Sequence, residues 1–333
     1  MIMGYIAKSA FIDECFRDWS KQLYALQRMK INYLDIRMIG NDNVIDLPKS
    51  KHKQYRADLE SIGRKVATVG SPIGKVDLVD DDTVLDTRTN KQGVRKSFEE
   101  YLMKKGGDFQ NALAAARIYA TEETPPALRV FSLYPVGDMS DVSDKRVRQN
   151  VLKFMNMMGE AAMEGGERVL LGVENERKLF GYSPEMLNWL FKNMDPKVRE
   201  TYTMIYDAMN YITEGIEPKK AYDMTLHRTS RFHVKDGIGR RDENDNLVPT
   251  GDGEERFCAV GQGDGGYKEI LQERTAIIDV VDHHEVWTLE PHLKSSMGAF
   301  GSTKFSGNTG FDRFITANEA FNMLLEAYGI EFR

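Results

Sequence analysis

Apolar runs of strand length alternate with longer segments of helical period along nearly the whole chain, and that alternation limits what the chain can fold into. The strand-like runs lie at 3–6, 31–37, 65–70, 128–134, 168–174, 202–207, 231–233 and 285–290. Helical periodicity fills 12–29, 49–62, 94–119 and 143–164, resumes near Ser183 and Pro218, and returns at 311–328. Continuously apolar strands joined by helical crossovers require a parallel sheet covered on both faces. Eight such units predict closure into an α/β architecture, a (β/α)8 TIM barrel forming one domain over residues 1–333. The open doubly wound alternative lacks its signature, since no dinucleotide fingerprint follows the first strand and no P-loop occurs. Two stretches break the rhythm. Residues 77–92 (DLVDDDTVLDTRTNKQ) are acidic and polar and predict a long exposed loop after the third strand. Residues 237–266, rich in Gly, Asp, Glu and Arg, predict another after the seventh. Loops on the C-terminal face of such a barrel carry its active site.

Charge and composition narrow the partners. With 45 Lys+Arg against 51 Asp+Glu the net charge is −6, so no basic face for a phosphate backbone is expected and nucleic acid is not a predicted partner. No run approaches the roughly 20 apolar residues of a membrane helix. The opening MIMGYIAKSAF lacks the basic and apolar regions of a signal peptide. Cys15 and Cys258 lie far apart and form no CxxC pair, so neither a disulfide framework nor a thiolate zinc site is expected. A cytoplasmic, membrane-free protein is the expectation.

Four of the strand runs end in a residue able to hold a metal: VLLGV at Glu174, TMIY at Asp207, RF at His233 and VWTL at Glu290. They are 33, 26 and 57 residues apart. One βα unit takes on the order of 30 residues, so the first two gaps fit one unit each and the third fits one unit plus the 237–266 insertion. A lone carboxylate after a strand is more often a helix cap or a loop charge. Four in register at the tops of strands five to eight predict convergence inside the barrel mouth. Three carboxylates and one imidazole suit a single hard or borderline divalent ion, Mn²⁺ best, with Mg²⁺, Co²⁺ or Zn²⁺ also compatible.

The segments NYLDIR, VATVGSPIGKV, RVFSLY, GVENERKLFGYSPE, YDAMNYITEGIEPKKAYD, FHVKD, VGQGDGGYKEIL and TLEPHL, in this order, span nearly the whole chain. With these the sequence resembles the xylose isomerase-like TIM-barrel superfamily, in particular its sugar phosphate isomerase/epimerase group. The resemblance implies that Glu174, Asp207, His233 and Glu290 bind the catalytic metal, that the substrate is a sugar, sugar phosphate or related polyol, and that a homodimer or tetramer is compatible with the chain. It further implies a mechanism. The metal would bind two adjacent oxygens of an α-hydroxy carbonyl and polarise it, while Glu174 and Glu290 remove and return a proton through an enediolate. Tyr182 and Gln262 stand where the group often has acidic residues, which bears on substrate size and specificity and leaves the metal ligands intact.

Lesser candidates carry a bland alternative each. Glu176, two past Glu174, contacts a substrate hydroxyl or forms a plain ion pair; Asn210 contacts substrate, orients a ligand or caps the next segment; Lys235 holds a substrate oxygen, with Asp236 pairing to it. His292 stands beside the ligand set or on the surface, and Arg129 is expected to be structural. The GQGDGG turn (261–266) and SGNTG (306–310) are read as loop and helix cap before phosphate site, and the adjacent His283 and His284 cannot share one helical face. Met155, Met157 and Met158 are expected to pack in the core. Three other functions share this fold: a metal-dependent lyase of an oxidised (3-keto) glycoside, a non-catalytic sugar-binding barrel, and a multi-zinc endonuclease, the last opposed by only six histidines and the acidic balance.

Overall fold

A computed structural model describes residues 5–88, 90–122, 124–164, 168–251, 253–278, 284–293 and 309–332. Eight parallel strands form the central sheet: β1 (Tyr5–Ala10), β2 (Tyr33–Ile36), β3 (Lys65–Val69), β4 (Ala127–Val130), β5 (Leu170–Glu174), β6 (Tyr202–Asp207), β7 (Thr229–Val234) and β8 (His284–Leu289). Their order around the sheet is β1-β8-β7-β6-β5-β4-β3-β2, each strand parallel to its neighbour. Helices alternate with them, so the sheet is a nearly closed (β/α)8 TIM barrel. Outward side chains such as Ile6, Leu34, Val173, Phe232 and Trp287 pack under the helices in one continuous core, which also takes in Met155 and Met158, with Met157 packed against it. Among the described residues no helix is long and apolar enough to cross a membrane.

The inward faces follow the period of two along each strand. At the bottom of the barrel lie Tyr5, Ala7, Tyr33, Ala67 and Val286, a small apolar cluster. One step up the inward residues turn polar. Asp35 Oδ1 accepts a hydrogen bond from Ser9 Oγ at 2.8 Å, its Oδ2 accepts one from Thr288 Oγ1 at 3.0 Å, and Arg231 donates to Thr68 Oγ1 at 2.6 Å. Asp35 therefore ties β1, β2 and β8 together across the seam between β1 and β2, where no backbone ladder runs. Burial raises the Asp35 carboxyl above its ordinary range, opposed by the nearby charges of Arg231 and His233 and by the two hydroxyls.

Several expectations require correction. The expected exposed loop at 77–92 is largely an antiparallel hairpin, Asp77–Asp80 with Thr83–Asp86, extended by Val94–Ser97 and joined by Tyr134–Pro135. The expected helix over 94–119 is that edge strand followed by two helices, Phe98–Met103 and Asp108–Tyr119, broken at the glycine pair Gly106–Gly107. Alternating polar and apolar residues on a half-exposed sheet mimic a polar loop when read without a partner. The helix expected from 12 starts at Trp19, capped by Asp18, after a short 3-10 turn at Ile12–Glu14. The first strand was expected at 3–6 and runs Tyr5–Ala10, so the polar Lys8 and Ser9 are strand residues. The 237–266 segment is mainly loop but contains two small ladders, Asp236–Ile238 with Arg256–Cys258 and Arg240–Arg241 with Leu247–Val248. His283 and Ser306–Asn308 lie outside the described residues, while His284 opens β8.

Replacing Asp35 by Ala leaves two buried hydroxyls without their acceptor and removes the negative charge that faces buried Arg231. The expected loss is roughly 3–5 kcal/mol, read as a lower midpoint of urea unfolding with an unchanged slope.

Candidate functional site

A cleft of about 520 Å³ opens at the C-terminal mouth of the barrel, its lining including Arg37, Arg129, Glu174, Lys235 and Glu290. Glu174 ends β5, Asp207 ends β6, His233 lies near the end of β7 and Glu290 directly follows β8. All four are at most 3% exposed, and one ligand atom from each falls within 4.8 Å of every other. The sequence-predicted quartet is therefore brought together.

Each carboxylate presents one oxygen to the centre and has the other tied. Glu174 Oε2 accepts from Arg129 Nη1 at 3.1 Å, Asp207 Oδ1 accepts from the Asn210 backbone N–H at 3.1 Å, and Glu290 Oε1 accepts from Arg37 Nη1 at 2.7 Å. The remaining oxygens, Glu174 Oε1 and Glu290 Oε2, lie 3.2 and 3.3 Å from His233 Nδ1. Asp207 Oδ2 and His233 Nδ1 are fully buried without a hydrogen bond of acceptable geometry. Buried polar atoms left so are costly unless a ligand completes them. The donor set, three carboxylate oxygens and one imidazole nitrogen converging on a point, fits a divalent cation.

The four residues shift one another's ionisation. Burial opposes ionisation of Glu174, but His233 and Arg129 outweigh it and hold the carboxyl well below its ordinary range. Glu290 is likewise held well below by Lys235, His233 and His292 against its burial. Asp207 goes the other way: burial, only partly offset by Lys235, pushes it up to about 6. His233 is raised to about 9 because Glu174 and Glu290 overcome the cost of burying its charge.

The lesser candidates fall into place around this centre. Asn210 does not cap the next segment as one expectation had it; Asp207 is the cap and accepts the Asn210 N–H, while Asn210 Nδ2 donates to Glu174 Oε1 at 3.3 Å. Lys235 Nζ lies 2.6 Å from Asp207 Oδ2 and 3.4 Å from Glu290 Oε2, on the flank of the quartet. Glu176 lines the cleft paired with Lys75. His292 also lines it, its Nε2 3.1 Å from Glu14 Oε1 and 3.4 Å from Glu290 Oε1, which raises it to about 9 against its burial. Arg129, expected to be structural, bonds Glu174 directly. Asp236 does not pair with Lys235. It accepts the backbone N–H groups of Gly237, Gly261, Gly263 and Gly265 at 2.8–3.1 Å, knotting both ends of the 237–266 loop to one carboxylate. A Cβ at Gly263 would stand 2.3 Å from the Gly237 oxygen, so the turn admits only glycine there.

Arg37, Phe11, Asp13 and Glu14 escaped the sequence reading. Period two offered a signal for two of them, since Arg37 lies two past Asp35 and Phe11 two past Ser9 on inward faces.

Removing the Asp236 carboxylate should free four amides at once. In Asp236→Ala, amide hydrogen exchange at 237–265 is expected to rise by on the order of 10²-fold while that of β5 and β6 is unchanged. Uniform protection in both regions would show that the loop is held by other contacts.

No protein-family model matches the chain, and no curated protein is similar to it in sequence. Solved structures are similar in fold over almost the full length. A xylose isomerase-like TIM barrel protein from Mycobacterium smegmatis in complex with magnesium shares 12% identity, with 98% of each chain covered and a TM-score of 0.62. D-allulose 3-epimerase from Methylomonas sp. in complex with D-allulose shares 12% identity, again with 98% of each chain covered, at 0.60. A probable 3-DHS dehydratase from Bacillus anthracis shares 11%, covering 96% of this chain and 99% of the other, at 0.58. The chain has the fold of the xylose isomerase-like TIM barrels.

Proposed function

We propose that this protein is a divalent-metal-dependent isomerase or epimerase of a sugar, sugar phosphate or related polyol, with Glu174, Asp207, His233 and Glu290 as the metal ligands. The observation that supports the reading is the convergence of four possible ligand atoms within 4.8 Å of one another, with the outer oxygen of each carboxylate held by a separate donor. The oxygen-rich set favours Mn²⁺, with Mg²⁺, Co²⁺ and Zn²⁺ as alternatives. A cleft lined mainly by charged and hydrogen-bonding side chains, with Met38, Met209, Pro72 and Phe257 as its apolar surfaces, matches a hydroxyl-bearing ligand.

The bound cation would supply Lewis acidity that polarises a substrate carbonyl and acidifies the neighbouring C–H. Glu174 and Glu290 start ionised, as bases require. They arise from β5 and the end of β8, with two strands, β6 and β7, between them in the sheet order. In epimerisation one carboxylate would take the proton from carbon and the other, once protonated from solvent, would deliver a proton to the opposite face; return of the abstracted proton by the first carboxylate to the adjacent carbon would give isomerisation. Lys235, 3.4 Å from Glu290, would hold a substrate oxygen, and Glu176, paired with Lys75 on the cleft wall, would contact a hydroxyl. Elimination rather than proton return would make the protein a lyase, and the dehydratase of like fold keeps that outcome in the screen.

A panel of ketoses, aldoses, cyclic polyols and 3-keto glycosides with Mn²⁺-loaded protein tests the reading. Product with inverted or shifted configuration supports it, elimination product replaces it by the lyase, and binding without conversion replaces it by a sugar-binding barrel. Glu174→Gln and Glu290→Gln are each expected to lower turnover by roughly 10²–10⁴-fold with unchanged circular dichroism. Metal binding carries its own pH signature. His233, raised to about 9, is protonated at neutral pH and must lose that proton to ligate. Affinity should therefore rise about tenfold per pH unit up to about pH 9, with about one proton released per ion, measurable by calorimetry in buffers of different ionisation enthalpy. A pH-independent affinity between 6 and 8 would show that binding releases no proton from His233, and loss of Mn²⁺ binding in His233→Ala would then be needed to keep it as a ligand.

A further inference from the structure

Two guanidinium groups and one phenyl ring brace the candidate centre from below and beside it. Phe11, fully buried, meets the His233 ring edge-on at 5.2 Å between centroids. The Arg37 guanidinium carbon lies 4.3 Å from the same phenyl centroid and that of Arg129 lies 5.2 Å from it. Gly70 makes room for this stack, since a Cβ there would fall 2.8 Å from the Phe11 ring and 3.1 Å from Arg37 Cβ. Each arginine is pinned at a second point, Arg37 Nε on Asp13 at 2.9 Å and Arg129 Nε on the Ser71 carbonyl at 3.3 Å. Each spends a remaining N–H on the outer oxygen of one glutamate, Arg37 on Glu290 and Arg129 on Glu174.

Coordination arithmetic gives this arrangement a purpose. Mn²⁺ and Mg²⁺ take about six ligands in octahedral geometry, and glutamate coordinates such ions through one oxygen or two. Four protein ligands giving one atom each leave two positions for adjacent substrate oxygens. Glutamates free to bind through both oxygens would fill those two positions themselves. Resting on the metal-site reading above, we propose that Arg37 and Arg129, braced by Phe11, are positioning residues that hold Glu290 and Glu174 to one inward oxygen each and so keep two coordination positions open for substrate.

The test counts exchangeable water on the ion and needs no substrate. Mn²⁺ titrations establish stoichiometry and affinity, and water-proton relaxation of the loaded protein reports inner-sphere water. Failure of the wild-type protein to bind one Mn²⁺ overturns the site reading and this inference with it. In Arg37→Met and Arg129→Met the expected result is Mn²⁺ affinity equal to or tighter than wild type, with the inner-sphere relaxation enhancement cut to about half in each single variant. The double variant should approach zero enhancement. Lysine at either position, which keeps a charged donor, should restore most of the signal. Retention of the full enhancement in the methionine variants overturns the inference while leaving the site reading intact, as does loss of Mn²⁺ binding, which would assign the arginines to site assembly. If a methionine variant does not fold, Phe11→Leu tests the brace with both arginines present; it should lower the enhancement, and a wild-type value overturns the proposal.

Discussion

Three carboxylates cannot share one buried point unless their charge is met from nearby, and most of the upper barrel is arranged to meet it. Glu174, Asp207 and Glu290 are almost wholly removed from water. Isolated, such ions would be strongly disfavoured in a low-dielectric interior. Arg129 and Arg37 each contact one of them, and Lys235 and His233 each face two. The cations are not equivalent. The arginines approach the outer oxygens, whereas His233 and Lys235 approach the inner ones, so on the proposed reading a divalent ion would compete with the second pair and leave the first undisturbed.

The layer beneath explains why the quartet is held so closely. Small TIM barrels commonly fill their interior with branched apolar side chains. Here the middle of the barrel is hydrogen-bonded instead, through Ser9, Asp35, Thr68, Arg231 and Thr288. A hydrogen-bonded layer has direction, which close-packed methyl groups lack. Thr288 on β8 and Arg231 on β7 are each two residues from a candidate ligand, Glu290 and His233, so the height and rotation of those strands are fixed one pleat below the chemistry.

Much of this was legible in the chain. The eight strands and the quartet could be read because strand periodicity, unit length and a liganding residue at each strand end are all local properties. The hairpin at 77–86 was not, because a half-exposed antiparallel strand looks polar and its partner is invisible to a local reading. The role of Arg37 was hidden for a different reason. Its bond to Glu290 joins residues 253 apart in sequence, and only closure of the barrel brings the two ends of the chain together. Arg129 offered no sign of its role, since an arginine inside a strand reads as a packing oddity until the neighbouring strand delivers Glu174 beside it.

The carboxylate of Asp236 grips the loop after β7 at both its beginning, Gly237, and its end, Gly261 to Gly265. Between those clamps the loop carries Glu255 and Phe257 on the cleft wall and is held again by Arg177, which bonds Glu255 and the Thr250 carbonyl. Extra length inserted in a loop whose ends are already fixed costs only slowly rising entropy. Evolution can therefore redraw this side of the cleft, and with it the range of molecules admitted, without transmitting strain to His233 three residues upstream of the clamp.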